Sequence, residues 1–217
     1  MNKKQLLKMK PEEFDKYMCE TYPEIFRERN LPMSQTCMCW GFEIGRGWYD
    51  ILDKLCYGLE LIRKQTNLLV VFQQIKEKFG GARFYHTIDG EKCILDDKEQ
   101  QAWCDIIDAM VDGAENTCEH TCAECGGDRY DMIVIGRWIY DVCEKCFIKQ
   151  RPNSKKDLLA FRAKNNLIQT ITNYIYNQKY EKMLSETVNQ IKKDIRKKEK
   201  EAKLDKIQQQ LPLGEKK

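Results

Sequence analysis

The sequence predicts an α+β fold: a small helix–hairpin–helix body, then a cysteine-built ribbon, then a basic helical extension. Three observations carry this prediction. Two amphipathic helical stripes flank a strand-forming segment, opened by Leu69, Val71 and Phe72, that has a glycine pair at its centre. Four cysteines fall into two C-x2-C pairs. Charge is divided, with 21 basic against 26 acidic residues over 1–154 and 16 against 8 over 155–217. The expected boundaries are 1–117 for the body, 118–150 for the ribbon and 151–217 for the extension.

Pro11 opens the first expected helix, with Glu12 and Glu13 in its first turn and Phe14, Tyr17 and Met18 at helical spacing. Residues 30–47 read as a loop containing Pro32, Gly41, Gly45 and Gly47. A strong helix follows, because Trp48, Ile51, Leu52, Leu55, Leu59 and Ile62 fall on one stripe. Residues 68–88 read as a β-hairpin turning at Gly80-Gly81, where positive φ is cheap. A second amphipathic helix is capped by Asp96 or Asp97, directs Trp103, Ile106, Ile107, Met110 and Val111 inward, and ends near Asn116. Beyond Arg151-Pro152 the spacing of Leu158, Phe161, Ile168, Ile171, Ile175, Leu184, Val188, Ile191 and Ile195 is helical, as one segment or two. A coiled-coil homodimer seam is compatible with that spacing.

The pairs Cys122-x2-Cys125 and Cys143-x2-Cys146 have the spacing of a four-thiolate metal site. Each pair presents two sulfurs from one tight turn, and two facing turns satisfy the tetrahedral preference of Zn2+. Residues 129–142 between them are rich in strand formers, which makes the segment a zinc ribbon holding one structural ion. Cys118 and His120 lie just upstream, and Cys37-Met38-Cys39 forms an isolated C-x-C. The remaining cysteines read as buried thiols packing as small hydrophobes.

Two groups are expected to bind a ligand. In the glycine loop, accessible N–H groups before a helix suit an anion, Arg46 suits a phosphate, and Trp40 or Trp48 suits a stacked base. On the hairpin, Lys76, Lys78, Arg83 and Tyr85 alternate onto one face. Each group also has a plain structural reading, as a tight turn packed by its aromatics and as a solvated strand surface. The chain lacks the Walker A ending, the nucleophile elbow and the metalloprotease and deaminase histidine patterns.

The first residues lack an apolar signal core, and no apolar run approaches the roughly 20 residues needed to cross a bilayer. Eleven cysteines, an odd number and partly clustered, fit a reduced cytoplasmic compartment better than a disulfide-bonded secreted one. No membrane association is expected.

Cys39-Trp40-Gly41-Phe42-Glu43, Gly47-Trp48-Tyr49-Asp50, Lys76-Glu77-Lys78-Phe79-Gly80, Arg83-Phe84-Tyr85 and the final four cysteines with Trp138-Ile139 occur in that order. Over about residues 20–150 the chain resembles a widespread family of small bacteriophage and prophage proteins. Ile44 and Arg46 stand where that family typically carries Cys and Asp, so no thiolate or acidic role is carried over to these positions. The resemblance implies an accessory protein acting in the cytoplasm of a bacterial host, without implying a particular activity. The function expected from the residues is non-enzymatic binding of a phosphate-bearing ligand, nucleic acid or nucleotide. The alternatives are a counter-defence inhibitor or decoy that binds a host protein or sequesters a host nucleotide signal, and an enzyme with a site near His86 or the C-x-C. Gln210-Leu211-Pro212-Leu213-Gly214 resembles peptides that bind the bacterial sliding clamp, without their usual terminal aromatic residue.

Overall fold

Two helices open the chain, α1 (Lys3–Leu6) and α2 (Pro11–Thr21). The sequence reading omits α1, which is too short to show a period. Asn2 and Gln5 close it reciprocally, each side chain accepting from the other's backbone N–H at 3.0 Å, and Leu6 is fully buried. From α2, Phe14 and Met18 enter the core, where Phe14 stacks on Tyr49 with ring centroids 3.6 Å apart. Buried Asp53 accepts hydrogen bonds from the hydroxyls of Tyr17 at 2.9 Å and Tyr22 at 3.0 Å, which satisfies its carboxylate and ties α2 to α3.

The coordinates form a computed structural model that describes residues 1–129 and 132–162, and beyond them Lys164, Asn165, Lys179, Lys182, Glu186 and Lys193. One compact unit covers Met1–Phe161; Arg162–Lys217 forms a second. The expected helical extension past 162, the dimer seam and the 210–214 motif lie outside the described residues. No helix among the described residues is long and apolar enough to cross a membrane.

A three-stranded mixed sheet runs in the order β1 (Phe42–Glu43), β2 (Leu69–Lys78), β3 (Gly81–Asp89), with β1 parallel and β3 antiparallel to the central β2. The stripe read at 48–62 forms α3 (Tyr49–Thr66), which ends at Asn67 in the left-handed conformation, φ 59°. Ile75 and Phe84 face inward from β2 and β3, while the Lys76–Arg83 pair and its neighbours form the outer face. A bulge at Gln73 shifts the register, and Thr36 Oγ1 donates to its carbonyl at 3.2 Å. The turn is Phe79-Gly80 rather than Gly80-Gly81. Lys78 and Gly81 still pair across the ladder, and φ is 54° at Phe79 and 80° at Gly80.

Helix α4 (Asp97–Glu119) covers the free edge of β3, the position at which a sheet is open to unwanted pairing. Asp96 caps it by accepting from Glu99 N at 2.8 Å. Along the edge Glu115 accepts from Phe84 N at 2.6 Å, and His86 Nε2 lies 3.0 Å from Asp108. Ile107 and Val111 are buried, but Ile106 is exposed rather than inward. The last segment of the unit contains β4 (Ile133–Ile135), antiparallel β5 (Trp138–Tyr140) and a further short helix, α5 (Glu144–Gln150). This ribbon has its own small core of Cys122, Ile133, Val142, Phe147 and Leu158. Leu158 comes from the segment assigned to the extension, so the packed unit continues past residue 150 to Phe161.

Candidate metal centre

The four cysteines of the two pairs converge. Cys122, Cys125, Cys143 and Cys146 bring their sulfurs within 4.8 Å of one another, with Cys125 Sγ 3.9 Å from Cys143 Sγ. A tetrahedron with bonds of about 2.3 Å has edges of about 3.8 Å, so the spacing fits a single four-coordinate ion.

Local structure explains why the sulfurs point the same way. Cys122-Ala123-Glu124-Cys125 closes a tight turn in which Gly126 N donates to Cys122 O at 2.9 Å and Cys122 N to Gly127 O at 2.8 Å. Cys143 is the N-cap of α5 and Cys146 lies in its first turn. Burial opposes ionisation of Cys122, but N–H groups of Cys125 and Cys143 aimed at its sulfur hold its pKa below the usual thiol value. Burial and the neighbouring sulfurs push Cys125 and Cys146 upward. Four thiolates at this spacing would repel one another, and a cation held among them would offset that charge. Among the described residues this is the one cluster of three or more metal-ligating side chains. Cys118 is buried apart from it, His120 follows the end of α4, Cys37 is exposed and Cys39 half-buried.

The glycine loop packs directly against this centre, not against a ligand. A Cβ at Gly45 would stand 2.3 Å from Ala123 O, and one at Gly47 would stand 2.1 Å from Cys122 O and 2.6 Å from Gly126 N. Gly47 N donates to Ala123 O at 2.7 Å, Trp48 Nε1 to Thr121 O at 2.8 Å, and Lys3 Nζ to Gly126 O at 2.6 Å. The expected anion cradle is thus the seat of the first cysteine turn. Trp48 is fully buried and unable to stack a ligand. Arg46 is committed to an ion pair with Glu124, inside that turn.

A second tie joins the ribbon to the body. Arg129, only 3% exposed, donates to Gly80 O at 2.6 Å, to Glu119 O and to Tyr140 O at 3.3 Å, while its Nε has no partner. One side chain thus joins the β2–β3 turn, the end of α4 and β5. Its burial disfavours the charge, and Asp141, Cys122 and Glu119 offset this. A cleft of about 440 Å3 lined by Leu7, Arg46, Glu124, Cys125, Cys146 and Lys149 opens solvent access to the cluster.

The hairpin group divides. Arg83 folds over the sheet edge to Glu119 Oε1 at 3.1 Å and Glu115 Oε2 at 3.7 Å. Lys76 and Lys78 stay on the outer face, with Lys76 Nζ 5.1 Å from the Tyr85 ring centroid and Lys78 Nζ 5.4 Å from that of Phe79. Tyr85 is exposed, and so is Trp40 in the turn before β1. The sequence reading missed Phe79 and Arg129. An aromatic at the first position of a two-residue turn was the available signal for Phe79, whereas nothing local marks Arg129. Compared with protein-family models, with curated proteins and with solved structures, the chain matches none.

Proposed function

We propose that this chain is a non-enzymatic accessory protein of phage type, built on a structural zinc ribbon, that binds nucleic acid through the outer face of its β2–β3 hairpin. The observation that carries the reading is the pairing of Lys76 with Tyr85 and of Lys78 with Phe79. Among the described residues neither lysine is held in an ion pair. Ammonium groups presented beside exposed rings suit a ligand that carries both phosphate and base. The excess of basic residues beyond 154 adds long-range attraction of the same sign. A nucleotide held by the glycine loop is not part of the proposal, because Gly45 and Gly47 lie beneath the cysteine turn.

Zinc is the ion proposed for the cluster. Four sulfur donors in a closed tetrahedral set suit Zn2+ and leave no position for a reacting water, so the ion staples the ribbon. Native mass spectrometry of the purified chain should show one zinc ion per chain. For the ligand, fluorescence anisotropy with oligonucleotides across a salt series should give binding that weakens steeply with salt. The double variant Lys76→Glu/Lys78→Glu should reduce the slope of log K against log salt by about 2. Unchanged binding in that variant, or none by the parent protein at low salt, overturns the reading.

A further inference from the structure

The β2–β3 turn carries two features that folding alone does not require. Phe79 occupies the left-handed region, φ 54°, and its ring is 67% exposed. A two-residue hairpin turn with both central φ values positive selects Asn, Asp or Gly at this position, and a side chain this large is disfavoured there. The turn nevertheless holds the ring outward. Glu77 Oε1 accepts from Gly80 N at 2.6 Å, and buried Arg129 grips Gly80 O at 2.6 Å. A surface aromatic kept at conformational cost by this much support points to a role in binding.

The surroundings of the ring identify the ligand chemistry. Lys78 lies over Phe79, and two rows back along the same face Lys76 lies over Tyr85. At about 3.3 Å per residue, the track from Tyr85 to Phe79 is about 15 Å long. Aromatic plates at its ends and ammonium groups between them match a chain of bases joined by phosphates. A duplex already uses both faces of its bases, so it offers these rings nothing to stack on. We infer that the track takes a single-stranded nucleic acid, with unpaired bases on Phe79 and Tyr85 and phosphates at Lys76 and Lys78. The inference rests on the nucleic-acid reading above and commits it to unpaired strands. Unpaired DNA and RNA share this chemistry. Glu43 stands beside Lys76 in the β1–β2 register and opposes the phosphates.

The test uses the full metal-loaded chain and measures anisotropy with oligothymidine, oligouridine and a DNA duplex of equal length at low salt. An unpaired strand should bind more tightly than the duplex, and comparison of the first two probes assigns the sugar. Phe79→Asn should weaken binding to the unpaired strand about tenfold, by loss of one stacking plate, and leave the duplex unaffected. The same variant should melt at or above the parent temperature, because Asn is favoured at this turn position. Tyr85→Leu should also weaken single-strand binding, and Glu43→Gln should strengthen it. Equal affinity for duplex and single strand, or full single-strand binding by Phe79→Asn, overturns this inference while the nucleic-acid reading stands. Absence of binding to all three probes defeats both.

Discussion

Stripping the metal from the four-cysteine cluster is expected to unfold the ribbon while the sheet and its two long helices survive. The ribbon's own core contains five buried residues, Cys122, Ile133, Val142, Phe147 and Leu158, and one of these belongs to the four-cysteine cluster. Strands of three residues joined at a tight turn do not hold together in water without further support. A metal bound there would therefore supply most of the free energy of this segment, roughly 10 kcal/mol or more by comparison with small zinc-folded peptides. The body has a much larger core, with Trp48, Tyr49, Phe14, Phe72 and Phe84 all but fully buried. A chelator reaches the cluster through the cleft beside exposed Cys125. Hydrogen exchange checks the outcome: amides of β4 and β5 should lose protection after chelation or in Cys122→Ser, while those of β2 and the middle of α3 keep theirs. Retained protection at Ile133 and Tyr140, a hydrogen-bonded pair of the ladder, without metal would sink the idea.

The second large effect belongs to Gly47. Gly47→Ala places a methyl group 2.1 Å from a backbone oxygen of the cysteine turn and 2.6 Å from a backbone nitrogen, neither of which yields without moving the whole turn. Relief requires the ribbon to lift from the body, which breaks the Gly47–Ala123, Trp48–Thr121 and Lys3–Gly126 bonds together. The expected loss is about 3 kcal/mol, at the upper end of overpacking effects. Gly113 provides the contrast. It is exposed within α4, and a Cβ there meets nothing within 4 Å. Gly113→Ala should therefore stabilise by about 0.5–1 kcal/mol through helix propensity alone. Urea denaturation of the two variants should show shifts of opposite sign. Equal shifts would mean that the glycine loop does not seat the ribbon.

The convergence of the four cysteines was legible in the chain, because two C-x2-C turns carry their geometry within a few residues and the distance between them matches a known closure. The amphipathic stripe of α3 and the strand-forming run of β2 were legible for the same local reason. The hairpin turn was misplaced by one residue. Gly80-Gly81 is the better turn pair by intrinsic preference, but pairing of Lys78 with Gly81 moves Phe79 into the turn. Helix α5 was hidden by its brevity, and Leu158 by a charge boundary that does not coincide with the packing boundary.

By itself, then, the sequence determined what is encoded over a few residues or by a periodic pattern: the cysteine turns, the helical stripes and the hairpin at 68–88. The parallel strand β1, inside the segment read as a loop, it did not show. Tertiary structure alone decided what each special residue is for. Gly45 and Gly47 serve a backbone more than 70 positions away, Arg46 pairs with Glu124, and Arg83 is taken by α4. Lys76 and Lys78 keep an open face. A bare N–H, an arginine or an indole has the same local character whether water, a ligand or a distant backbone lies in front of it. Which of these it meets depends on long-range packing, and packing joins residues whose separation in the chain leaves no periodic trace.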